Sequence, residues 1–353
     1  MSAPFLAALE AQARACDGLG SPFTARVMRG LAKVWPSETA LARRVAGWTG
    51  DLGPRGASLP LRVAGGLHAL VRAGAAEALL ACYPPRQAPD PALARALRQT
   101  LLAQDAALCA FVETAPQTNE VGRSAVLLAG AADLAARFGL PLRLSELGAS
   151  AGLNLWFDRY ALDLPSGVLG RADSAVRLRP DWRGALPPLT PLHIEAGDDG
   201  RRGVDLNPLD PARDGARLMA FVWPDQAERM ARLDAALHLA EGGRVETGDA
   251  ADWLEARLAR PWQDVLHLVF HTIAFQYFPA ATQARIGRAM EQAGARATPR
   301  APLAWLAMEA DAGAEGAAVT LRLWPGAHHH DLGRAGFHGQ WVDWRGAGRV
   351  TGG

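Results

Sequence analysis

The chain has 353 residues, 49% hydrophobic and 21% charged, which places it among globular sequences able to bury a core and outside the disordered regime. Its 37 basic and 36 acidic residues leave a net charge of +1, so no long single-sign surface holds a polyanion by counterion release, and nucleic acid is not expected as a partner. Only Lys33 among the basic residues is a lysine, in a context that fits neither a Schiff-base pocket nor a Walker A loop.

Along the chain, apolar positions at three- and four-residue spacing predict helices over Pro4–Ala15, Pro22–Val34, Leu61–Leu80 and Pro91–Glu113, an all-α lobe assigned to residues 1–118. From Leu140 the texture becomes short β-prone runs alternating with amphipathic stretches, which predicts a mainly parallel sheet with helices on both faces over residues 119–353. The expected order is a strand at Leu142–Leu147, a helix at Ala151–Tyr160 and an irregular insertion near 161–190. Extended chain through Leu192–Asp205, helices within Ala212–Glu241 and a short strand at Arg244–Thr247 come next. A strong strand at Val265–Phe270, a helix at Ala280–Ala293, a strand at Leu303–Met308 and a closing pair at Val319–Trp324 and Gln340–Trp344 complete it, with Gly346–Gly353 as a loose tail. The most apolar stretch, Val265–Ala281, contains His267 and His271 and is broken at Phe278-Pro279, so it reads as a buried strand and not a membrane span. With no secretory pattern at Met1–Gly18 and three unpaired-looking cysteines, a cytoplasmic protein is expected.

The informative segment is Leu144-Ser145-Glu146-Leu147-Gly148-Ala149-Ser150-Ala151-Gly152-Leu153-Asn154, a strand running into a glycine loop. Ser150 and Leu153 stand where a dinucleotide fingerprint has glycines. As Gly-x-Ser-x-Gly the segment matches a nucleophile elbow with Ser150 at its apex, the basis of a serine-hydrolase alternative, although only helices precede the strand. As Glu146-x-Gly148-x-Ser150-x-Gly152 it resembles the first nucleotide-binding loop of Rossmann-like S-adenosylmethionine methyltransferases, with Ser150 in place of the middle glycine. That resemblance implies S-adenosylmethionine as cofactor and an unidentified small or peptide-like acceptor. It also implies that Glu146, Gly148, Ala149, Ser150, Gly152 and Asn154 form the cofactor loop.

Gly203-Val204-Asp205 resembles the end of the second strand in those enzymes, where a carboxylate takes the ribose hydroxyls. Asp205 lies 59 residues after Glu146, with Glu195 as a rival and an Asx turn before Pro208 as the plain structural use. Gly248-Asp249-Ala250 resembles an adenine-contacting turn, or else Asp249 belongs to a helix cap. Phe270-His271-Thr272 ends the strong strand at the edge where open α/β sheets bind ligands, which makes His271 the catalytic candidate and Gln276 a cleft residue. Asn119 and Arg123, near Glu120, either line a ligand cleft or belong to a helix start capped by Asn119.

The stretch from Asn119-Glu120-Val121-Gly122-Arg123 through Asn154, with Asp205–Asp210, Val222–Gln226, Phe270-His271-Thr272 and His338-Gly339-Gln340-Trp341, is similar to an uncharacterised bacterial family, the domain of unknown function 2332. It implies a fold and no particular activity; a binding protein without catalysis is a further alternative. His328-His329-His330 reads as an extended loop whose adjacent side chains diverge, and no metal site is expected.

Overall fold

The computed structural model describes residues 2–54, 56–313 and 315–346; of the expected tail, residues 347–353 lie outside them. The chain divides into two compact units, Met1–Thr118 with Asp214–Ala231, and Asn119–Arg213 with Arg232–Gly353. The segment 214–231 therefore belongs with the helices and not with the sheet.

The first unit carries α1 (Ala3–Gly18), α2 (Pro22–Val34), α3 (Ala40–Ala46), α4 (Leu59–Arg72), α5 (Glu77–Leu80), α6 (Asp90–Ala103) and α7 (Asp105–Val112). Two expected long helices are each broken. Gly74 at φ +70° ends the helix over Leu61–Leu80, as a left-handed glycine past a helix terminus does, and Gln104 separates α6 from α7. α2 begins at Ser21-Pro22, and the Asp225 carboxylate accepts the Ser21 hydroxyl and the Phe23 amide (2.8 Å), placing negative charge at the helix start. Phe5, Leu9, Met28, Leu31, Leu59, Leu67 and Leu97 are fully enclosed in its core.

The second unit contains α8 (Ser124–Phe138), α9 (Pro211–Ala220) and α10 (Ala227–Leu239) in part, α11 (Ala250–Ala259) and α12 (Ala280–Gly294). Its strands are β1 (Leu142–Leu147), β2 (Ala161–Leu164), β3 (Gly167–Gly170), β4 (Arg177–Leu178), β5 (Asp181–Gly184) and β6 (Arg201–Asp205). The chain continues through β7 (Val245–Thr247), β8 (Leu266–Thr272), β9 (Leu303–Glu309), β10 (Ala317–Trp324), β11 (His328–Ala335) and β12 (Trp341–Trp344). Nine strands form one mixed sheet in the order β5-β12-β11-β10-β9-β8-β1-β6-β7, parallel from β9 to β7 and antiparallel from β9 through β12. All seven residues of β8 are buried, as expected of a central parallel strand covered on both faces. α8 covers one face, Gly130 letting Leu306 approach its backbone; α11 and α12 cover the other through Leu254, Leu258, Ile286 and Met290 against Leu147, Val204 and Val269.

Several expectations are corrected. The helix at Ala151–Tyr160 is a 3-10 segment, Leu153–Arg159, tied down by the Tyr160 hydroxyl on the Leu153 carbonyl. The irregular insertion holds a three-stranded sheet, β3-β2-β4, and its last strand, β5, joins the edge of the main sheet beside β12. His328–His330 lie on β11, which separates the two strands expected to close the sheet as a pair.

Candidate functional site

Strand order runs outward from β1 in one direction to β6 and β7 and in the other to β8 and β9, so the crevice at the carboxyl ends of β1 and β8 is where the connections diverge and where open sheets bind ligands. The glycine loop fills this position. Gly148, Ser150 and Gly152 all have positive φ (+69°, +54° and +70°), and Gly148 N and Ala149 N donate to the Val204 carbonyl at 2.9 and 3.1 Å. Asn119 Oδ1 accepts the Leu153 amide (2.9 Å), so Asn119 fastens the end of the loop, while the cap before the 3-10 turn Val121–Arg123 is Glu120, accepting from Gly122 N. Of the two alternatives for Asn119, the helix cap is therefore not the one found. Arg123 donates to the Thr272 carbonyl at the end of β8 (3.1 Å) and to the Phe337 carbonyl (2.9 Å).

Glu146 is 2% exposed and its Oε2 has no hydrogen-bond partner among the described residues. Burial pushes its carboxyl well above the ordinary range; a hydrogen bond from the Asn154 side chain and the more distant Arg123 oppose the shift, and Asp205 adds to it. Asn154 is itself held by the Ser124 hydroxyl (2.8 Å). Ser150 is nearly enclosed and its Oγ is likewise without a partner, so no histidine stands ready to activate it.

Asp205 ends β6. Its Oδ2 accepts Ser150 N and its Oδ1 accepts Asn207 N, both at 2.9 Å, so the carboxylate forms the Asx turn and also braces the loop. Glu195 pairs in bidentate fashion with Arg143 at 2.6 and 2.7 Å, which commits it to the neighbouring strand. Asp249 caps α11: its Oδ1 accepts from Ala251 N and Asp252 N and its Oδ2 from the Thr282 hydroxyl, with Ala250 buried as the first helical residue.

His271 lies inside β8 and not past its end. Glu146 and Phe270 are register partners and so point to one face of the sheet; His271, the next residue, points to the other, toward Trp305 and Phe275. Its Nδ1 donates to Glu309 Oε1 at 2.7 Å, and its Nε2 is buried without a partner among the described residues. Glu309, at the end of β9, also accepts the amides of Ala274 (3.0 Å), Phe275 (3.1 Å) and Gln276 (3.4 Å). Burial would raise the Glu309 carboxyl, but these donors, His271 first among them, hold it below its ordinary value.

The sequence reading missed Glu309. Its signal is an acidic residue closing a buried strand, the same pattern that singles out Glu146. The pair anchors the segment Ile273–Phe278, where Ile273 carries φ +50°, an uncommon strain for a β-branched residue. That segment lies against the glycine loop: a Cβ on Gly148 would fall 2.6 Å from the Ala274 Cβ. Gln276 sits on its exposed turn, its Oε1 accepting from Ala310 N (3.3 Å).

No helix among the described residues is long and apolar enough to cross a membrane, and among them no group of three or more metal-ligating side chains comes together. No curated protein and no solved structure matches the chain. The family model for an uncharacterized protein conserved in bacteria (DUF2332) matches residues 7–344, which takes in the glycine loop, Asp205, His271 and Glu309; the chain belongs to that family.

Proposed function

We propose that the carboxyl edge around β1 and β8 binds S-adenosylmethionine and that the protein is a methyltransferase of a small or peptide-like acceptor. The observation that carries this reading is the pair of buried polar atoms without partners, Glu146 Oε2 and Ser150 Oγ, flanking a left-handed glycine loop where strand order reverses. Taken in chain order, the five parallel strands run 3-2-1-4-5, as in doubly wound nucleotide-binding sheets. Each Asp205 oxygen has a lone pair beyond its backbone hydrogen bond and can take a ribose hydroxyl.

S-adenosylmethionine would supply an electrophilic methyl group. The chain's own part is to bind and orient: the Gly148–Gly152 backbone admits the ligand closely, Asp205 fixes the ribose, and Glu146 offers a carboxyl able to ionise beside a cation. Entry requires the Ala274–Phe278 segment to lift from Gly148, so the His271–Glu309 pair acts in this reading by positioning that segment. The His271 Nε2, buried without a partner, can meet the acceptor only when the segment opens. The hydrolase alternative has less support, because no histidine is hydrogen-bonded to the Ser150 hydroxyl.

Calorimetry of the full chain with S-adenosylmethionine and S-adenosylhomocysteine tests the proposal. Saturable binding of both is expected, retained in Ser150→Ala and weakened about tenfold or more in Asp205→Ala. Absence of binding to either at millimolar concentration, or covalent labelling of Ser150 by a fluorophosphonate, would overturn it.

A further inference from the structure

At the amino end of β6, away from the glycine loop, Trp253 and Arg257 of α11 and Arg260 just past its end share one side of the helix beside the sheet edge, and the small Ala256 between them leaves a groove. Arg202 of β6 and Glu246 of β7 form its floor and Asp199 its end, enclosing a cavity of about 160 Å³. Three guanidinium groups thus face two carboxylates.

Their pairing is incomplete. Arg257 is 8% exposed; its Nε donates to Ser145 Oγ (2.5 Å), and its Nη2 donates to the carbonyls of Asp199 (2.6 Å) and Leu144 (3.2 Å). Nη1 is left facing Asp199 Oδ1 at 3.5 Å, a carboxylate that Arg260 shares at the same distance. The Arg202 guanidinium makes no hydrogen bond or ion pair among the described residues, although its backbone is paired in the sheet. Behind Arg257, the Ser145 hydroxyl reaches His267 Nε2 at 2.8 Å, and burial together with Arg257 and Arg143 keeps that histidine neutral, so it adds no charge of its own there.

We propose that this groove binds a phosphate group, free or as a monoester, between Arg202, Arg257 and Arg260, with the Trp253 ring as its flat wall. A tetrahedral dianion engages several guanidinium forks at once, which a single carboxylate does not. The buried Arg257 supplies a fixed donor, its fork held by Ser145 and two carbonyls before any ligand arrives, and Arg202 supplies the unspent charge. The site is independent of S-adenosylmethionine binding at the carboxyl edge.

The test is calorimetry of the full chain with inorganic phosphate and with phenyl phosphate, against sodium chloride of matched ionic strength. Saturable binding is expected, weakened about tenfold in Arg202→Ala with unchanged melting temperature in the absence of phosphate, and strengthened in Glu246→Gln by removal of a like charge. Tighter binding of phenyl phosphate assigns the groove to an ester and equal binding to the free ion. No heat beyond the chloride blank for either compound, or an affinity that Arg202→Ala leaves unchanged, overturns the proposal.

Discussion

The two units bury polar groups in different ways. In the helical unit, Arg62 is buried but satisfies its fork on the carbonyls of Ala57, Val112 and Glu113, and His68 donates to the Ala220 carbonyl at 3.2 Å; among the described residues of that unit, Gln12 Oε1 is the only buried side-chain polar atom without a partner. In the α/β unit, Glu146, Ser150, His267, His271 and Trp305, with three further side chains, each keep a buried atom unpaired. An unsatisfied buried group costs about 1–3 kcal/mol, so a fold that tolerates several in one place is held together by its surroundings there, and such places are where ligands are met. The helical unit is the well-satisfied scaffold by this measure.

The largest test of that contrast is at the loop. Gly152→Val places a branched side chain at φ +70° with its Cβ 2.7 Å from Val245 Cγ2, and the left-handed strain and overpacking together cost about 2–5 kcal/mol. Urea unfolding should show the loss directly, with ligand binding falling as a consequence of stability. Next, Glu309→Ala strips the acceptor from His271 and the 274–276 amides and costs about 3 kcal/mol. Amide exchange of Ala274 and Phe275 should quicken more than exchange in β8.

Two buried groups, one in each unit, have opposite pH dependence. Glu146 is raised by burial, so the native state holds a proton that the unfolded chain gives up near pH 4.5, and stability falls as pH rises above that value. Glu146→Gln removes the loss, and its melting temperature should exceed that of the natural chain by a margin that widens toward pH 8. His68 in the helical unit is pushed down to about 4 by desolvation, so its contribution is complete above pH 6.5 and is lost as pH falls toward 4, amounting to about 2–3 kcal/mol there. His68→Gln keeps a donor for Ala220 and should flatten the acid limb of a stability–pH curve. The smallest effect belongs to Gly18→Ala at the end of α1, where nothing lies within 4 Å of the added methyl; a gain of about 0.5–1 kcal/mol is expected by thermal unfolding.

Much of the sheet unit was legible because β8 and β9 are largely apolar runs ending in polar residues and β1 leads straight into the glycine loop: β1 lies at the expected residues, and β8 and β9 each extend only one or two residues past their expected ends. The glycine loop and the Asp249 cap were readable for the same local reason. What was not legible depends on partners distant in sequence. β11 begins His-His-His-Asp, without apolar alternation, and is a strand because β10 and β12 pair with it on both sides. The 153–159 segment has helical spacing, yet Asn119 takes the Leu153 amide and Tyr160 the Leu153 carbonyl. Which face of β8 His271 occupies is set by register with β1 and is not written in the local pattern.

The segment 214–231 has a consequence for biosynthesis. A nascent chain that has emerged only as far as Thr118 holds all seven amino-terminal helices but not Phe221, whose ring fills the space over Gly65, nor Asp225, which starts α2. Its first domain would wait, part-formed, with that gap open to chaperones and proteases until β1 and β6 had also left the ribosome. The amino-terminal unit is therefore complete only once residues 214–231 have been made, after β1 and β6.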